Sequence, residues 1–77
     1  MKYSIQAVSA DGTHVEVAEE EFRSDADVEA EMASLFCPLA TIHVYLREPF
    51  KPSDDIVEKG RFRLVLVAKF KDGEEVK

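Results

Sequence analysis

Tyr3, Ile5 and Ala7 alternate with Lys2, Ser4 and Gln6. That period of two predicts a β-strand over residues 2–8. Ser9-Ala10-Asp11-Gly12 follows, and Asp-Gly between alternating segments is a strong hairpin signal because glycine tolerates positive φ. A second strand is predicted over 13–18, with Val15 and Val17 sharing a face, and Glu19-Glu20-Glu21 ends it in water.

The period then changes to three and four. Val28, Met32, Leu35 and Phe36 fall at i, i+4, i+7 and i+8, one apolar stripe on a helix over 25–36, predicted to face the core. Ser24 has the chemistry of an N-cap, with Asp27 three residues on in a capping-box position. Asp25, Asp27, Glu29 and Glu31 point mostly away from the stripe, and acids in the first turns match the helix dipole. Pro38 stops the helix.

Residues 40–47 alternate again, Ile42, Val44 and Leu46 on one face and His43, Tyr45 and Arg47 on the other. Glu48-Pro49-Phe50-Lys51-Pro52 reads as a stiff connector; its one PxxP match fits that role. Residues 53–60 carry a cap, early acids, a late base and a terminal glycine, the signature of one helical turn. The last strand, 61–71, is predicted to point Phe62, Leu64, Leu66, Ala68 and Phe70 inward and Arg63, Val65, Val67 and Lys69 outward. Asp72-Gly73 ends it, and the charged tail is expected to fray. The order is ββαββ. It predicts an α+β domain spanning 1–77, one helix packed on a four-stranded, mainly antiparallel sheet, with the short helical turn before the last strand. Two strand orders fit: a grasp-like sheet with first and last strands parallel at its centre, or a fully antiparallel sheet.

The chain has 77 residues, of which 45% are hydrophobic and 34% charged, a globular rather than disordered composition. A chain this short buries only about 60% of its unfolded surface, which leaves little room for a deep catalytic cavity. The single cysteine, Cys37, excludes an internal disulfide and fits a reducing, cytoplasmic compartment. The start carries no apolar run, so neither a signal peptide nor a membrane span is expected.

Net charge is −6, and its distribution is uneven. Residues 1–38 hold nine carboxylates against two bases, or −7; residues 39–77 hold seven against eight, or +1. Phosphate contacts need Lys and Arg, so direct nucleic-acid binding by the first half is disfavoured.

Gly12, Gly60 and Gly73 sit in turn contexts, so no phosphate-cradling loop exists. Cys37, His14 and His43 lack metal-ligand spacing, and neither metal nor cofactor is expected. A Cys37–His43 nucleophilic pair is weakened because a helix C-terminus disfavours a thiolate; Cys37 is expected to be buried. His14 and His43 fall on the polar phase of their strands. Two surfaces remain. Glu19, Glu20, Glu21, Asp25, Asp27, Glu29 and Glu31 form an acidic face suited to a basic protein groove. Tyr45, Val65 and Val67, rimmed by Arg63 and Lys69, form an outer sheet face suited to a homodimer or a site between subunits.

In size and charge the chain is similar to small phage-encoded inhibitors of nucleic-acid enzymes, including some anti-CRISPR proteins. In layout, residues 25–71 resemble dodecin, a small flavin-storing oligomer, but the tryptophan on which dodecin stacks flavin is missing here. The reading that results is a non-enzymatic protein-binding module, of the inhibitor kind, with an acidic helix face. The homo-oligomeric small-molecule binder is the alternative, and a small enzyme relying on Cys37 and His43 is the third.

Overall fold

The alternating segments become strands and the three-to-four segment becomes a helix. A computed structural model describes residues 2–49 and 62–76. Its elements are β1 (Lys2–Val8), β2 (His14–Glu20), α1 (Arg23–Phe36), β3 (Thr41–Pro49), β4 (Phe62–Lys71) and β5 (Glu74–Glu75). The sheet order is β2-β1-β3-β4-β5, with antiparallel neighbours throughout. The α+β class and the ββαββ order hold, and the fully antiparallel arrangement is the one adopted. The predicted helical turn at 53–60 and the inward side chain of Phe62 lie outside the described residues.

The first hairpin closes as its Asp-Gly pair requires. Gly12 adopts φ +87°, and its N–H donates to the Ser9 carbonyl at 3.0 Å. The Thr13 N–H donates to Asp11 Oδ1 at 3.0 Å, and that hydrogen bond holds the Asp11 carboxyl below the usual carboxylate range. The tail departs from expectation. Asp72 and Gly73 adopt φ of 52° and 81°, a tight reversal. The chain therefore returns as β5 instead of fraying, and the Val76 N–H donates to the Lys69 carbonyl at 2.8 Å.

Two helix details also differ. The N-cap residue is Phe22, with no side-chain cap. The helix starts two residues earlier than a Ser24 cap implies, and within its first turns Arg23 bridges to Asp27 (Nε to Oδ1, 2.9 Å). At the other end the Cys37 N–H closes the last turn on the Ala33 carbonyl at 2.9 Å, and Cys37 is exposed rather than buried.

The largest departure concerns which side of α1 faces the sheet. The core consists of Ile5, Ile42, Val44, Ala68 and Phe70 from the strands and Ala26 and Ala30 from the helix. Ser34 is buried beside them. Val28, Met32, Leu35 and Phe36, the stripe predicted to pack inward, are 55%, 50%, 61% and 81% exposed. The helix meets the sheet through alanines and a serine instead, small side chains that let backbone lie close to strand. Ser34 has its own reason to be inside: its hydroxyl donates to the Glu31 carbonyl at 2.7 Å and accepts the Gly73 N–H at 2.8 Å. That pair ties the β4–β5 turn to the helix and leaves no polar atom unpaired.

Two β-bulges redirect side chains. Val44 pairs with Ala68 and Tyr45 with Leu66, so Val67 is the extra residue. Beyond it the two faces of β4 exchange. Ala68 and Phe70 point inward as predicted, but Leu64 and Leu66 are 46% and 43% exposed, and Val67 packs against the core. Likewise Ile5 pairs with Ala18 and Gln6 with Glu16, which leaves Val17 as an extra residue on β2.

Candidate functional site

At 100° per residue, Ala26, Ala30, Ala33 and Ser34 form the sector of α1 that meets the sheet. Val28, Met32 and Leu35 lie within a sector of about 60° centred roughly 180° away. They form the ridge of the helix most distant from its own core. Leu39, 92% exposed, lies beyond the helix end.

The predicted carboxylates border this ridge. Asp25 and Glu29 are one turn apart along one side; Asp27 and Glu31 are one turn apart along the other. Asp25, Glu29 and Glu31 are exposed and Asp27 is half-buried, its charge answered by Arg23. No lysine or arginine occurs in α1 after Arg23. The outward face is thus an apolar stripe between two acidic rows.

The three glutamates before the helix do not join it as one block. Glu19 lies on the sheet face away from the helix, hydrogen-bonded to Arg47 (2.7 Å) and 4.0 Å from Lys2. Glu20 pairs with Tyr3 in the opposite phase, and Glu21 is exposed in the link to α1. Together with Lys2 they line a shallow dent of about 160 Å³. Four of the seven predicted acids therefore flank the ridge.

The outer sheet face is also rearranged. Tyr45 and Lys69 lie on it, Lys69 opposite His43. The bulge takes Val67 to the core, sets Val65 opposite Leu46 and brings Arg63 opposite Glu48, whose carboxylate it meets at 2.7 Å. Leu66 stands beside Tyr45 instead. Leu64, opposite Arg47, is on this face too, and the neighbouring strands carry a polar chain. His14 Nδ1 donates to Gln6 Oε1 (3.0 Å), Gln6 Nε2 donates to Ser4 Oγ (3.2 Å), and the Ser4 hydroxyl donates to Glu16 (2.5 Å). His43 meets Tyr45 Oη at 2.9 Å, and its ring lies 6.1 Å from that of His14. Burial holds the His43 imidazole below its usual range, with Lys69 and His14 adding to the effect. These groups pair with one another, which is what the fully buried Ser4 and the half-buried Gln6, His43 and Tyr45 require.

His43 is therefore engaged with Tyr45, on the sheet face turned away from the helix that ends at Cys37. Among the described residues no group of three or more His, Cys, Asp or Glu side chains is placed to hold a metal ion. No helix there is long and apolar enough to cross a membrane. Comparison with protein-family models, with curated proteins and with solved structures finds no match.

Val28, Met32 and Leu35 are the site residues that sequence reasoning misassigned, since apolar periodicity marks them as core. A competing signal was present: Ala26, Ala30, Ala33 and Ser34 trace a second stripe of small residues on the opposite side.

Proposed function

We propose that this chain is a non-enzymatic protein-binding module whose outward helix face, Val28, Met32 and Leu35 between the Asp25/Glu29 and Asp27/Glu31 rows, docks on a basic protein surface. One observation carries the reading. The largest apolar side chains of the helix point away from the protein's own core, at half or more exposure, although the helix has a sheet to pack on. An apolar centre with a charged border is the anatomy of a recognition surface. Apolar contact supplies affinity, while the carboxylates steer encounter and reject acidic partners. An inhibitor that fills a groove built for nucleic-acid phosphates is the specific form of this reading, since four carboxylates supply the charge such a groove expects.

The test is site-specific photo-crosslinking in an extract of the source organism. A photoreactive residue at position 32 should capture a protein through a Lys/Arg-rich surface, less efficiently as added salt shortens the screening length below the roughly 8 Å of physiological buffer. The same group at position 14, on the far sheet face, should not capture it. Equal capture from both positions, or none from position 32, removes the proposal.

A further inference from the structure

We infer that the occupant of this face is a single amphipathic helix with apolar residues at coiled-coil spacing and Lys or Arg on both borders. The inference rests on the docking reading above and specifies the partner's architecture.

The spacing comes first. Val28, Met32 and Leu35 are separated by four and three residues, all within the helix that ends at Phe36. That is the a/d alternation of a heptad seam, which averages 3.5 residues and supports side-by-side helices crossing at about +20°. In this frame Glu29 and Glu31 take the two positions that flank a seam and choose its partner by charge. Ala26, Ala30, Ala33 and Ser34 fall at b, f, b and c positions and turn to the protein's own sheet, and Asp25 takes the a position one step before Val28, at the N-terminal end of the seam.

The backbone comes second. Amides and carbonyls in the middle of a helix are already paired within it, so an extended strand finds no edge to join. Recognition here must come from side chains alone, and knobs seated between the ridge residues of another helix are the packing this spacing permits.

Charge then selects among helices. A second copy of this chain is the obvious candidate and the wrong one. Packed antiparallel about a two-fold axis, each acidic row meets its own copy; packed parallel, the Asp25/Glu29 row meets the partner's Asp27/Glu31 row. Either way carboxylates face carboxylates, and like-charge juxtaposition is what excludes wrong partners. A helix bordered by lysine or arginine meets both rows with opposite charge.

The experiment uses the full chain, isotope-labelled, and two synthetic three-heptad peptides with identical leucine seams. One carries lysine at every flanking position, the other glutamate; like charges keep each from pairing with itself. The lysine peptide should bind with amide shifts centred on residues 28, 32 and 35. The glutamate peptide should bind at least about tenfold more weakly. Met32→Gln, a helix-compatible change at an exposed position, should weaken the lysine peptide by about tenfold while the thermal melt stays unchanged. Equal affinity for the two peptides, shifts confined to the outer sheet face, or a concentration-dependent dimer of the chain alone would overturn the inference. If neither peptide binds but crosslinking from position 32 still captures a basic protein, the docking reading stands and the helical partner is wrong. If both fail, both fall.

Discussion

The two sides of α1 teach different lessons about what an apolar residue is for. The inward side is built from Ala26, Ala30, Ala33 and Ser34, small groups packed on Ile5, Ile42 and Val44. The outward side carries Val28, Met32 and Leu35, of which Leu35, at the C-terminal end, reaches the Gly73 turn between β4 and β5. Bulk and burial run in opposite directions here. A helix that used its bulky side for its own core would leave the alanines in water and have no ridge to offer. With its small side inward the fold is still closed, and the bulky side remains for contact.

That contrast can be broken or sharpened by substitution. The largest effect is expected from Ile42→Ala, which empties a fully buried position beneath the inward side and should cost about 2–5 kcal/mol. For 77 residues with total stability on the order of 4–12 kcal/mol, the urea midpoint should fall steeply. Ala30→Leu comes next. The added side chain has no space at a fully buried alanine and should cost about 1–3 kcal/mol, read in the same titration. Gly73→Ala follows. It forces an L side chain to φ +81° and puts a Cβ 2.8 Å from Leu35 Cδ2, a loss of about 1–2 kcal/mol from the backbone alone. In a Leu35→Ala background the steric part disappears, so a double-mutant cycle should show coupling between helix and turn. Met32→Gln on the outward side should shift stability by no more than about 0.5 kcal/mol. If positions 30 and 32 respond in the reverse order, the assignment of the two sides is wrong.

The smallest effect comes from the sheet face away from the helix. Because the folded His43 imidazole sits below its ordinary range, the unfolded chain takes up that proton first as pH falls. Its contribution is intact above the ordinary imidazole pKa and is lost as pH drops from there through the lowered folded value. Urea midpoints taken on either side of that window should converge in His43→Gln relative to the unmodified protein.

Much of this architecture was legible in the residue order. Strand-forming alternation, the Asp11-Gly12 reversal and the helix-to-Pro38 boundary each depend on neighbours in sequence. The acidic rows were legible too, since Asp25, Glu29, Asp27 and Glu31 are positioned by helical geometry alone. The bulges at Val17 and Val67 were not. Each inserts one residue into a pairing register, and nothing local in Val-Glu-Val-Ala or Leu-Val-Leu-Val marks where the extra residue falls. From Val67 back to Arg63 the face assignments on β4 reversed, which split the proposed Tyr45–Val65–Val67 surface.

The amino-acid order determined that the helix would be amphipathic, where it would run, and that carboxylates would border its apolar ridge. Only the tertiary structure decided which way that helix is turned. A periodicity fixes angles between side chains on one element, whereas orientation toward a neighbour depends on the fit between two surfaces. Here the fit between Ala26, Ala30 and Ser34 and the sheet, locked by the Gly73 N–H on Ser34, outweighed the larger hydrophobic area of Val28, Met32 and Leu35.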